Sequence, residues 1–295
     1  MTHNICASNI RTLAAATYGE IVRRPLYSIL LLTFAVAVFL SKLLTLFSFN
    51  QEVNMVREMG MATFTLWGFL IVVITSGLVV TQELEDRTAV TLLSKPVRRH
   101  EFLLGKFSGI VLSLIPGMIV LASVLLLTLW MMISPHLPVR DRDVAVNLKE
   151  GISPFMTVLR ATWEHFMARQ GGVVLEGALL AFFQSIVLAA LSVSFSAFFP
   201  TVVSVAATTL VFILGNISSY MLASVESLNV TALSVAARAI SYLAPNLGYF
   251  NLQSYFSEAK MISLTYLGVS FVYAALYVTV VFLVSCSLFR KREIC

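Results

Sequence analysis

Long apolar runs separated by short polar clusters dominate the pattern of this chain. Six runs stand out, over residues 26–47, 61–80, 107–133, 174–199, 201–225 and 261–289. A helix needs roughly 20 apolar residues to cross the ~30 Å hydrocarbon core of a bilayer, and each run reaches that length. Helices are required there, because a lone strand in lipid leaves its N–H and C=O groups unpaired. Arg23 and Arg24 precede the first run, and Arg290-Lys291-Arg292 closes the last. Lys42 lies near the far end of the first run, where its stem can carry the charge to the headgroups. Pro116 is expected to kink the third. Between Gly177 and Val225 no residue is charged; as one helix that stretch would be roughly 70 Å long, too long for one crossing. Pro200 sits near its middle, so it reads as two crossings joined by a tight turn. The expected fold is an all-α integral membrane protein with six transmembrane helices, forming a single membrane domain over residues 1–295.

Two polar-flanked stretches are amphipathic. Over residues 8–22, a period of 100° per residue puts Ile10, Leu13, Ala14, Thr17 and Ile21 on one face, and Ser8, Asn9, Thr12 and Glu20 on the other. Such a helix can lie in the membrane interface ahead of the first span; the plainer alternative is an exposed N-terminal helix. Between the third and fourth spans, Ser153-Pro154 is a good helix start, and Phe155, Leu159, Trp163 and Phe166 follow on one side. That helix is expected to lie on the outer leaflet or over the bundle mouth. A further outer helix is expected from Leu228 to Leu243, ending before Pro245-Asn246.

Composition agrees with a membrane chain: 58% of the 295 residues are hydrophobic and only 12% charged, about half the charged share of soluble domains. The net charge of +5 points to membrane orientation rather than nucleic acid, because the basic residues flank the spans. Segments 1–25, 82–106 and 290–295, with the Pro200 turn, hold 11 of the 20 Lys and Arg, whereas segments 48–60, 134–172 and 226–260 hold eight over a longer length. This bias puts both termini in the cytoplasm. Cys6, Cys286 and Cys295 then face the cytoplasmic side, where no disulfide is expected.

Several chemistries lack their residues. His3, His100, His136 and His165 all lie outside the expected spans, which argues against haem ligation, metal sites or Ser–His arrangements at membrane depth. No Asp or Glu falls in the middle of a span, where ion-coupled carriers hold one. Ser192, Ser194 and Ser196 read as helix-packing residues. Gly105-Lys106 is followed by Phe107 and lacks the upstream glycine of a phosphate loop. No catalytic, cofactor or metal site is expected in this chain, and any nucleotide-driven work must come from another subunit.

The loop after the second span carries most of the information. Glu83, Glu85 and Asp86 open it, Arg98 and Arg99 close it, and Thr88 to Ser94 form a short apolar helix halted by Lys95-Pro96. Exposed Val90, Leu92 and Leu93 need cover, since burying each is worth roughly 1.5–3 kcal/mol. They either tuck against the bundle's own inner ends or dock a soluble partner.

This run, Glu83, Glu85-Asp86-Arg87-Thr88, Leu92-Leu93-Ser94-Lys95-Pro96-Val97, Arg99 and Glu101-Phe102-Leu103-Leu104-Gly105-Lys106, resembles type-2 ATP-binding-cassette (ABC) permeases. The likeness is to the permeases of nitrous-oxide-reductase maturation and gliding motility. Many members have glycine where this chain has Arg87. The six spans, the Pro245-Asn246 pair and the final Phe289-Arg290-Lys291-Arg292 are similar too. The resemblance implies that Thr88–Pro96 is a coupling helix seated in a separate cytoplasmic ABC ATPase. Val90, Leu92 and Leu93 would be its apolar knobs, and Glu83, Glu85, Arg98 and Arg99 its polar partners. It implies a dimer with a second permease subunit, ATP and Mg on the partner ATPase, function as an exporter subunit, and a bacterial inner or plasma membrane. The other readings are an ATP-independent secondary transporter and a membrane scaffold or assembly factor.

Overall fold

The computed structural model describes residues 2–44, 52–81, 99–133, 163–164, 166–228, 245–251 and 262–291. Among them are seven α-helices and no strand. They are α1 (Thr2–Arg23), α2 (Pro25–Leu44), α3 (Glu52–Thr75), α4 (Arg99–Ile133), α5 (Gly172–Phe198), α6 (Thr201–Leu228) and α7 (Leu264–Lys291). A π turn, Ser76–Thr81, extends α3, another, Met167–Gly171, leads into α5, and a 3₁₀ turn, Leu247–Phe250, precedes α7. The helices α2 to α7 are long and apolar enough to cross a membrane.

Helix ends depart from the apolar runs where polar residues join the helix. Helix α3 begins at Glu52 and α4 at Arg99, eight or more residues before the runs at 61 and 107, because nothing in either lead-in breaks a helix. The charge-free stretch does split at Pro200. Phe199 turns to extended backbone (φ −122°, ψ 153°) and caps α5 through its N–H to the Phe195 carbonyl, and α6 restarts at Thr201. Pro25 stands at the first position of α2, where a missing N–H costs nothing.

Helix α5 is the hub. It contacts α3, α4, α6 and α7, and 72% of its apolar window is buried, against 17% for α2 and for α7. Small residues let neighbours approach it: Gly177, Ala178, Ala181, Ser185, Ala189 and Ala190 are buried. Between α3 and α4, the indole of Trp67 fills the space a side chain at Gly117 would need, and Trp67 is fully buried. Pro116, just before it, lies inside a continuous α4. Tyr27 on α2 donates its hydroxyl to the Ser113 carbonyl nearby, at 2.9 Å, so α2 is tied to the same stretch of α4.

Gly117→Leu is therefore expected to expel Trp67 and lower the thermal midpoint of the detergent-solubilised protein, at an overpacking cost of about 1–3 kcal/mol or more. Gly268→Leu, on an exposed face of α7 with nothing within 4 Å, is expected to leave it unchanged. Size-exclusion melting curves of the two variants check this.

Candidate functional site

Of the loop residues singled out above, Arg99 is the first residue of α4. Glu83, Glu85, Asp86, Arg87, Thr88, Val90, Leu92, Leu93, Ser94, Lys95, Pro96, Val97 and Arg98 lie outside the described residues. What the structure gives is the frame from which that loop hangs. On one side, α3 ends in the π turn Ser76–Thr81, a wider helical form frequent at functional sites. On the other, α4 starts at Arg99 and is gripped at once by α1.

That grip depends on two glycines. Gly105 and Gly109 stand four apart and share a face of α4. A Cβ at Gly105 would lie 2.5 Å from Leu13 Cδ2, and one at Gly109 would lie 2.5 Å from Thr17 Cβ and 2.9 Å from the Ala14 carbonyl. Helix α1 thus lies in a groove that only glycine leaves open. Ala14, Thr17 and Ile21 are buried, with Leu13 and Ile10 partly so, while Arg11 and Thr12 stay exposed. The amphipathic face of residues 8–22 is real, and what covers it is α4. An exposed N-terminal helix is not what forms. Glu101 and Lys106, in the same first turns of α4, are each 5% exposed, and Lys106 Nζ lies 5.7 Å from the Phe102 ring centroid.

The opposite end of the bundle is closed by polar and irregular backbone. Arg57, placed in a loop by its sequence context, is buried on α3 and donates from Nη2 to Gln170 Oε1 at 3.0 Å, in the π turn before α5. Trp163 packs edge-on against Trp130, with ring centroids 6.0 Å apart; residues 153–162 of the expected outer helix lie outside the described residues, as do 229–244 of the next. The chain from Pro245 to Asn251 dips between α6 and α7. Gly215 on α6 admits it: a Cβ there would lie 2.7 Å from the Pro245 carbonyl and 2.8 Å from Leu247 Cγ. Asn246 N donates to the Tyr273 hydroxyl at 3.1 Å, Gly248 N to Asn246 Oδ1 at 3.1 Å, and the Tyr266 hydroxyl to the Tyr249 carbonyl at 2.7 Å. Gly215 and Tyr273 both fall within membrane-length apolar helix. The polar backbone of this segment thus lies against apolar helix, where protein supplies its partners. Glu176 at the start of α5 accepts from Ile262 N at 2.8 Å and ties down the return to α7.

Six crossing-length helices, with α1 packed into α4 at one end and the segment 245–251 held against α6 and α7 at the other, are now in view. A family model described as ABC-2 family transporter protein matches residues 7–294. The chain belongs to this family. Comparison with curated proteins finds no match. As an ABC-2 permease it is a multi-pass membrane component of an ABC transporter, and the match takes in α1 as well as the six long helices.

Reading the sequence for chemistry missed the parts of this permease that glycine makes. Gly105 and Gly109 carry a visible signal, small residues at i and i+4 within a helix. Ser192 and Ser196, read as packing residues, do bond across helices, to Ser76 and Ser204 respectively. The burial of Arg57 had no signal in its neighbours.

Gly109→Val is expected to lift α1 from α4 while leaving the bundle assembled. Trypsin cleavage after Arg11 and Arg23 in membranes should accelerate roughly tenfold or more, with the size-exclusion profile unchanged. Cleavage at the wild-type rate would show that the groove does not hold α1.

Proposed function

We propose that this permease forms the translocation path of an ABC exporter together with a second permease subunit, and that a separate cytoplasmic ATPase drives it through the loop 82–98. ATP and Mg are held on that partner, and this chain performs no catalysis. The observation that carries the reading is the anchoring of the loop. Its downstream end enters a helix clasped by α1 within two turns, and its upstream end leaves a π turn buried against α5 and α6. A push on such a loop moves packed helices instead of dissipating in a flexible tether.

The excess of Lys and Arg in segments 1–25, 82–106 and 290–295 supports placing this end in the cytoplasm, in the inner or plasma membrane of a bacterium. Val90, Leu92 and Leu93 then enter an apolar cleft of the ATPase. Glu83, Glu85, Asp86 and Arg87 before them, and Lys95, Arg98 and Arg99 after them, set the register with charges of opposite sign. Thr88 starts the short helix, Ser94 and Lys95 end it, and Pro96-Val97 stops it from continuing into α4. In this reading the segment 245–251, held against α6 and α7 at the far end, closes the outward exit between cycles.

Leu92→Asp combined with Leu93→Asp tests the docking. Loss of two buried leucines is expected to weaken association with the ATPase by at least about a hundredfold, so that the ATPase no longer co-purifies while the permease still elutes as a folded species. Co-purification at wild-type yield would overturn the assignment of the loop.

A further inference from the structure

Where α3 gives way to its π turn, a row of hydroxyl side chains crosses three helices. Ser76 opens the π turn, Ser192 and Ser196 lie one turn apart on α5, and Ser204 and Thr208 lie one turn apart on α6. All five are at most 2% exposed. Ser76 and Ser192 are hydrogen-bonded to each other, Thr208 Oγ1 donates to Ser192 Oγ at 3.3 Å, and the Ser196 and Ser204 hydroxyls meet at 2.8 Å. Of these bonds, Ser76–Ser192 fastens the end of α3, next to the loop, to the α5–α6 hairpin, and the other two join α5 to α6 within it.

Two of these hydroxyls have a second place to go. Ser76 Oγ is 3.2 Å from the Val73 carbonyl, and Thr208 Oγ1 is 2.9 Å from the Ser204 carbonyl. A hydroxyl has one proton, so each donates either across to a neighbouring helix or back to its own. When the π turn parts from α5, Ser76 donates back to Val73 and Thr208 back to Ser204, and the Ser192 hydroxyl can turn its proton to Thr208 Oγ1 within the hairpin, so no donor is stranded in an apolar interior. The packing beside the seam is thin in the same way. Gly77 brings the π turn against α6 without a side chain; a Cβ there would be 3.3 Å from Thr201 Cγ2 and 3.4 Å from Val205 Cγ2. Further along the same pair, Phe69 on α3 and Phe212 on α6 stack with centroids 4.1 Å apart and planes at 14°, a broad contact that has no such alternative.

We infer that the hydroxyl seam is a releasable joint: during the transport cycle the π turn parts from the α5–α6 hairpin, pivoting about the Phe69–Phe212 stack, and this parting opens the cytoplasmic end of the permease. The step rests on the ATPase-coupled reading for its drive, and it adds the residues that convert a pull on the loop into separation of helices.

A disulfide across the joint tests it. The Cβ position at Gly77 is 3.4 Å from Val205 Cγ2, an atom one bond beyond the Val205 Cβ, so the two Cβ positions lie within about 5 Å of each other, near the ~3.5–4.5 Å separation of a disulfide. Gly77→Cys with Val205→Cys is made in the full chain with Cys6, Cys286 and Cys295 changed to Ser, and reconstituted with its ATPase in phospholipid vesicles. Oxidation is expected to cut ATP hydrolysis by about tenfold or more, because the parted state is no longer reached, and dithiothreitol should restore it. Equal hydrolysis by the oxidised and reduced complex would overturn the joint. A second arm needs no ATPase. In the permease alone, alkylation of Gly77→Cys by N-ethylmaleimide should run about two- to tenfold faster when Ser192→Ala removes the hydroxyl bond across the joint; an unchanged rate also overturns it. If the reduced complex shows no ATP hydrolysis that depends on the permease, the ATPase-coupled reading fails by itself, and the alkylation arm still decides the joint.

Discussion

Helices surrounded by lipid gain little by hiding a leucine from it, since the acyl chains are as apolar as the side chain. What holds this bundle together is therefore closeness of approach, and closeness is set by the smallest side chains. Trp67 sits where Gly117 leaves room, Leu13 and Thr17 lie over Gly105 and Gly109, and the Pro245 carbonyl and Leu247 lie against Gly215. Each contact joins two helices at a point where one methyl group would collide with atoms already there. The position of α1 and the close approach of the segment 245–251 to α6 both follow from that rule.

The same rule explains how much could be read from the sequence. The number of crossings was legible because charge is excluded from lipid, and the break at Pro200 was legible because one helix cannot span twice the bilayer. The arrangement of the crossings was not. Helices α2 and α5 are equally apolar by mean hydropathy, yet 17% of one window is buried and 72% of the other. Lipid and protein interior favour the same side chains, so apolarity does not say which of the two a helix faces. The distinguishing mark is the supply of Gly, Ala and Ser along α5, which is a signal about volume and not about polarity.

Site residues divide along a similar line. The loop 82–98 was visible because acids, leucines and bases follow one another there in a fixed order, outside lipid, where polarity does carry information. The elements that anchor the loop were hidden. The face of residues 8–22 was apparent, but its partner was not, because Gly105-Lys106 draws attention as a failed phosphate loop and Gly109 stands unnoticed one turn on. The π turn at Ser76–Thr81 has no sequence signature of its own. Arg57, inside the bundle, goes against the expectation that charge marks a loop; its Nη2 is bonded to Gln170 more than a hundred residues away, a partner no local pattern discloses.

The helices on either side of the loop 82–98 are anchored by different kinds of contact, and under the proposed drive from an ATPase that difference gives the motion a direction. On the α4 side, Leu13, Ala14 and Thr17 interlock with Gly105 and Gly109, and pulling them apart would open a void with nothing to fill it. On the α3 side, Ser76 has an acceptor on either side of the parting, so separation there costs less. A force applied to the loop therefore carries α1 and α4 together as one body. The yielding falls on the junction between the π turn and the α5–α6 hairpin, and since α5 is also the hub for α4 and α7, a shift of that hairpin is felt by every long helix except α2.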